Sequence, residues 1–239
     1  MITMNPADID NNTWLALIAA LAYLIGSFPT AYFVTRRMLG KDIRFEGSGN
    51  VGSMNTYSLI KSERSGKQAV LALGITMLTD LGKGVLAIYV VRWMALPGYN
   101  LAAALIIAST FVILGHNYLF CFRFKQGGRG IAPLMGILIA LNASSILVWG
   151  GTLLLSIFLA QRILVGKMGR ESFSGVFSII GSQVIGRISG LAIALLPLYF
   201  LDRGLFFPVL AATVLILIKH TDIIRTLASK SKRVQDQNH

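Results

Sequence analysis

Glycines, amides and a cation are interleaved in Arg44-Phe-Glu-Gly-Ser-Gly-Asn-Val-Gly-Ser-Met-Asn-Thr-Tyr57. Residues of these types at this spacing suit one chemistry, the grip of an anion. Glycines at 47, 49 and 52 let backbone N–H groups close on a phosphate. Ser48, Asn50 and Asn55 add neutral donors, and Arg44 adds a planar fork matched to phosphate oxygens. The same text also reads as a turn-rich connection whose Asn and Ser cap helix ends. Gly47, Gly49 and Gly52 satisfy G-x-G-x-x-G, but a dinucleotide site needs a preceding strand. An apolar run of helical length stands there instead.

A second segment, Gly115 to Pro133, places Lys125 and Arg129 around Gly127-Gly128, with Gly130 leading into the next apolar run. A basic, glycine-rich entry to a helix N-terminus suits an anion. The same cations also suit plain anchoring at a membrane face. His116 and Asn117 close the apolar run before it, where a histidine serves as a cap or as a catalyst. Asp80 and Lys83, three residues apart inside an apolar run, share a helix face and pair. Such a pair lines a polar cavity or clamps helices. His220, Asp222 and Arg225 follow the last apolar run and are expected at the surface. Arg170, Glu171, Ser172 and Ser174 precede the sixth.

The elements that must position these groups are membrane helices. Of 239 residues, 54% are hydrophobic and 13% charged, about half the charge of a soluble domain. Runs near the ~20 residues that span a bilayer fall at 14–34, 69–91, 101–119, 131–141, 145–160, 176–200 and 205–218. The expected class is all-α, a polytopic integral membrane protein of about seven transmembrane helices. Arg36 to Lys67, Arg123 to Arg129, Arg162 to Arg170 and Lys219 to Arg233 hold most of the basic residues. The alternate loops hold only Arg92 and Arg203. The positive-inside rule then sets the N-terminus outside and the C-terminus in the cytoplasm. Residues 1–13 are expected as an extracytoplasmic segment without a basic signal region. Residues 14–225 form one membrane domain, and residues 226–239 form a basic, disordered cytoplasmic tail.

This layout accounts for the net charge of +12 as attraction to an anionic leaflet. No basic-aromatic module points to nucleic acid. One cysteine, Cys121, and three scattered histidines provide no metal-ligand set, so no metal is expected.

In order from Ser27 to Arg225, the chain resembles the bacterial acyl-phosphate-dependent glycerol-3-phosphate acyltransferases, the PlsY family. Ser27-Phe-Pro-Thr-Ala-Tyr32 is similar to that family's Ser-x-Pro-Phe-Gly-Tyr. Asp42-Ile-Arg-Phe-Glu-Gly-Ser-Gly-Asn-Val-Gly-Ser-Met-Asn55 is similar to its Asp-Ile-Arg-x-x-Gly-Ser-Gly-Asn-x-Gly-Ala-Thr-Asn. Asp80 with Lys83-Gly84, Gly115-His-Asn117, Gly127-Gly-Arg-Gly130 and His220 match its later motifs, and Ser174 aligns loosely with its serine motif. Met54 replaces a Thr, Arg129 a Lys and Ile223 an Asn.

The resemblance implies acyl transfer from acyl phosphate to glycerol 3-phosphate, without a cofactor, at the cytoplasmic side of the inner membrane. Arg44, Gly47, Ser48, Gly49, Asn50, Gly52 and Asn55 would then hold one phosphate and polarise the acyl carbonyl. Lys83, Asn117, Lys125, Gly127, Gly128, Arg129 and Ser174 would hold the second. His220, His116 or the donor's own phosphate would orient or deprotonate the hydroxyl. The His-x-x-x-x-Asp motif is missing, since Cys121 and Arg225 stand at that offset. This argues against a CoA-type enzyme. The other class in play is a lipid- or anion-binding transporter without chemistry, which Arg187 among Gly181, Gly186 and Gly190 would suit. Otherwise Arg187 snorkels or is paired.

Overall fold

The computed structural model describes residues 10–95, 97–166 and 173–236, excepting the side chains of 173, 174, 177, 178 and 222–236. Every regular element among them is helical: α1 Asn11–Gly26, α2 Thr30–Leu39, α3 Ser53–Glu63, α4 Gly66–Met94, α5 Leu101–Asn117, α6 Ile131–Asn142, α7 Ser145–Val165, α8 Phe173–Ser182, α9 Val184–Ile193, α10 Leu195–Leu201 and α11 Arg203–Asp236. Six helices or helix runs are long and apolar enough to cross a bilayer. The fourth expected span, at 131–141, is α6, whose 12 residues reach only ~18 Å. It can be short because protein, not lipid, surrounds it. Leu134, Ile137, Leu138 and Ala140 lie in the central apolar core.

Four other expectations change. The first span breaks after Gly26, because Pro29 lacks an N–H and restricts the residue before it; α2 then runs to Gly40, whose φ of 70° ends it. The polar stretch 36–68 is not all loop, since α3 packs Tyr57 and Ile60 onto Ala69, Ala72 and Leu73 of α4. The C-terminal tail continues α11 to Asp236, in a stretch that has no Gly or Pro after Pro208. The expected sixth span is also interrupted, at Gln183, whose ψ of 89° is not helical.

Glycines set the helix spacing. A Cβ on Gly26 of α1 would strike the Val112 carbonyl of α5, and one on Gly115 would strike Tyr23 of α1. Gly84 of α4 meets Pro133 of α6 in the same way, and Gly136 of α6 meets Leu81. Gly186 and Gly190 seat α9 against Ile157 and Leu153 of α7. Lipid tails are as apolar as a leucine, so helices in a bilayer associate through such close approach. On α7, only 17% of the apolar window is buried in protein, which puts this helix at the lipid-facing rim. At one end of the bundle Trp14 Nε1 donates to the Met94 carbonyl at 3.0 Å and Asn100 N to Asn11 Oδ1 at 3.1 Å. The candidate site lies at the other end.

Candidate functional site

The first glycine loop is held from within by Asn55. Its Oδ1 accepts from Ser48 N at 3.1 Å, and its Nδ2 donates to the carbonyls of Glu46 at 3.1 Å and Asn50 at 3.0 Å. Gly47 and Gly49 have φ of 58° and 69°, a region costly for other residues. A Cβ on Gly47 would also strike the Asn55 amide. Gly52 opens α3 without a side-chain cap, so the first N–H groups of that helix keep their capacity for an anion. Ser48 and Asn50 stand on the turn in front of it.

Arg44 is partly committed. Its Nε and Nη2 grip Asp42 at 2.9 and 2.6 Å, and its guanidinium stacks 4.3 Å from the Phe122 ring centre. The hydrogen bond from Arg44 holds the Asp42 carboxyl below its usual range. Asp42, two residues before the arginine, was not among the candidate site residues; an acid at that offset in a tight turn is the signal that marks it.

The second loop folds back over the end of α5. Gly128 N donates to the His116 carbonyl at 2.9 Å, and a side chain on Gly127 or Gly128 would strike Asn117 or the His116 ring. One hydrogen bond joins the two glycine loops: Val51 N donates to the Gly127 carbonyl at 3.1 Å. Beside this junction a cleft of about 480 Å³ is lined by Arg44, Arg123 and Lys125, with Cys121, Phe122 and Gln126. Three cations facing one cleft make an electropositive pocket. Arg129, one residue past the glycine pair, is half-buried, and burial pushes its guanidinium pKa down.

Below the loops lies a buried polar chain. Lys83 Nζ contacts Asp80 Oδ1 and the Phe28 carbonyl, each at 2.6 Å, and so ties α4 to the break after α1. His116 Nδ1 lies 3.8 Å from the same Asp80 oxygen. Lys83 and His116 are thus turned toward the scaffold. His220, expected at the surface, is fully buried, because α11 continues past it and packs on α5, α6 and α9. Its Nδ1 lies 2.8 Å from the Ile216 carbonyl, and its Nε2 has no partner among the described residues. A carbonyl only accepts, so Nδ1 carries the proton and a neutral ring presents Nε2 as a free lone pair. Asn117 Oδ1 is also buried and, among the described residues, unpartnered, while its Nδ2 reaches the Leu215 carbonyl of α11 at 3.5 Å.

The structure therefore brings together the 44–55 loop, the 125–130 loop, His116, Asn117 and His220. Ser174 lies on α8, and its side chain is outside the described set, as are those of Asp222 and Arg225. Arg170, Glu171 and Ser172 are outside it entirely.

A family model described as glycerol-3-phosphate acyltransferase matches residues 16–230. The glycerol-3-phosphate acyltransferase of Clostridioides difficile (strain 630) is 32% identical, over 77% of this chain and 86% of its own. That of Bordetella petrii is 34% identical, over 83% and 91%. That of the Wolbachia of Brugia malayi is 30% identical, over 91% and 97%. Among solved structures, the chain is similar to PlsY, an integral membrane glycerol 3-phosphate acyltransferase, in its lysophosphatidic acid form. The TM-score is 0.62 and the identity 21%, over 91% of this chain and 93% of that one.

Proposed function

Since the chain belongs to the glycerol-3-phosphate acyltransferase family, we propose that it takes its acyl group from an acyl phosphate and delivers it to glycerol 3-phosphate at the cytoplasmic face of the inner membrane. It is a multi-pass membrane acyltransferase of phospholipid synthesis. The products of the proposed reaction are lysophosphatidic acid and phosphate.

The observation that carries this reading is the hydrogen bond from Val51 to Gly127 beside the cleft of Arg44, Arg123 and Lys125. It sets the two glycine loops side by side, which suits a reaction between two phosphate-bearing substrates. Acyl phosphate is a mixed anhydride with a good leaving group. Orientation and charge neutralisation then supply most of the acceleration.

In this reading Ser48, Gly49, Asn50 and the N-terminus of α3, with Arg44, hold the donor phosphate and polarise the carbonyl. Lys125 and Arg129, across Gly127-Gly128, hold the acceptor phosphate. His220 Nε2 accepts the proton of the acceptor hydroxyl as its oxygen bonds to the acyl carbon. The bond from that carbon to the phosphate oxygen breaks, and phosphate leaves. Asn55 positions the first loop. Lys83 and His116 position the floor beneath the second.

The test uses purified protein in detergent with labelled glycerol 3-phosphate. Palmitoyl phosphate and palmitoyl-CoA are supplied in separate reactions. Lysophosphatidic acid is expected from palmitoyl phosphate alone. Product from palmitoyl-CoA and none from palmitoyl phosphate would overturn the donor assignment.

A further inference from the structure

Arg187 of α9 is not at the lipid surface and, among the described residues, has no ion-pair partner. It is 5% exposed, its Nε donates to the Gln183 carbonyl at 3.1 Å, and among the described residues no carboxylate lies within ion-pair distance of it. Gly186 and Gly190 fix α9 against α7. The Gln183 side chain reaches Gln161 of α7 at 2.5 Å. The helix is therefore held on the side where those glycines pack.

Two other basic groups share the neighbourhood. Leu191, one turn along α9 from Arg187, lies with Ile216 of α11 in the central apolar core, and α9 packs on α11. Gly130, next to Arg129, packs on Ile216, whose carbonyl anchors the His220 ring. Burying an unpaired guanidinium is costly, and a second, half-buried one on the adjoining loop adds to that cost. Nothing in the protein among the described residues offsets this, and His220 Nε2 and Asn117 Oδ1 stand there unpartnered and buried. A dianion bound there would supply the missing charge.

We propose that Arg187 is a phosphate ligand, the third side of a basic site made with Arg129 and His220 between α9, α11 and the α5–α6 connection. The ligand class is a phosphate monoester or acyl phosphate dianion. This deepens the functional reading above and rests on it for the identity of the anion. It also adds to the site a residue from a helix that the two glycine loops do not reach.

The test combines binding and kinetics in the full-length protein in detergent. Inorganic phosphate is titrated while thermal unfolding is followed, and KM is measured for each substrate. The wild-type protein is expected to be stabilised saturably by phosphate, and Arg187→Met to lose that response. Its kcat/KM should fall roughly tenfold to a hundredfold, the value of one charged hydrogen-bonding partner. Arg187→Lys keeps the charge without the fork and should raise one KM at least about threefold. The substrate whose KM moves identifies which phosphate sits there. A folded Arg187→Met variant with the wild-type phosphate response and KM values overturns the proposal. Should that variant not fold, wild-type KM values in Arg187→Lys overturn it. Lack of turnover with palmitoyl phosphate bears on the donor assignment alone, because the phosphate titration reads Arg187 without turnover.

Discussion

Asn55→Ala separates a residue that holds a loop from one that handles substrate. The amide is 6% exposed and makes three hydrogen bonds, one to Ser48 N and two to the carbonyls of Glu46 and Asn50. Each bond contributes about 1 kcal/mol net, so truncation removes roughly 3 kcal/mol from the closed loop. At about 1.36 kcal/mol per tenfold change, the ratio of closed to open loop falls on the order of a hundredfold. The global fold should change little, because these bonds are local to residues 46–55. Asn55→Asp is nearly isosteric but sets a carboxylate oxygen against two carbonyls, and it should be at least as damaging. The assay pairs lysophosphatidic acid formation with hydrogen exchange at the amides of residues 47–51. Faster exchange together with lower turnover is the expected result. Lost turnover with unchanged exchange would refute the staple and give Asn55 a direct role. Unchanged turnover and exchange would show that these bonds do not hold the loop.

Gly84→Ala should destabilise the protein measurably in detergent, because its Cβ would meet the Pro133 backbone. Gly82→Ala, with nothing within 4 Å, should be neutral or stabilising by up to about 1 kcal/mol; thermal unfolding compares them. Lys83→Met strands the buried Asp80 carboxylate and should cost roughly 3–5 kcal/mol. The double change with Asp80→Asn should recover much of that loss, read as coupling in a double-mutant cycle. His220→Phe removes the free Nε2 acceptor, and kcat in the acyl phosphate assay should fall about 10²- to 10⁴-fold. A His220→Phe kcat within threefold of wild type would count against the hydroxyl assignment.

Much of the fold is legible in one dimension because a bilayer imposes a simple rule. Backbone polar groups must be satisfied within the segment, so long apolar runs are helices. That rule locates the runs that become α1, α4, α5, α7 and α11. It locates α6 as well, though its 12 residues are too few to span a bilayer and lie largely within the core of other helices. It misses the breaks at Pro29 and Gln183, which lie within apolar text. It also misses α3, whose polar surface conceals the few side chains that pack on α4.

Candidate site residues were readable by type, since glycines, amides and arginines between apolar runs have few other uses. Their division of labour was not. Asn55 and Asn50 look alike in sequence, yet the amide of Asn55 is spent on the loop. His116 and His220 both stand near the ends of apolar runs, yet one ring faces Asp80 and the other keeps a nitrogen without a partner among the described residues. Arg187 could as well have been snorkelling or paired. Local sequence determines helix, turn and which chemical groups are on offer, because those depend on neighbours a few residues away. Which group is free to meet a substrate depends on partners brought in from other helices. Val51 meets Gly127, and Gly130 meets Ile216, only once the bundle has closed.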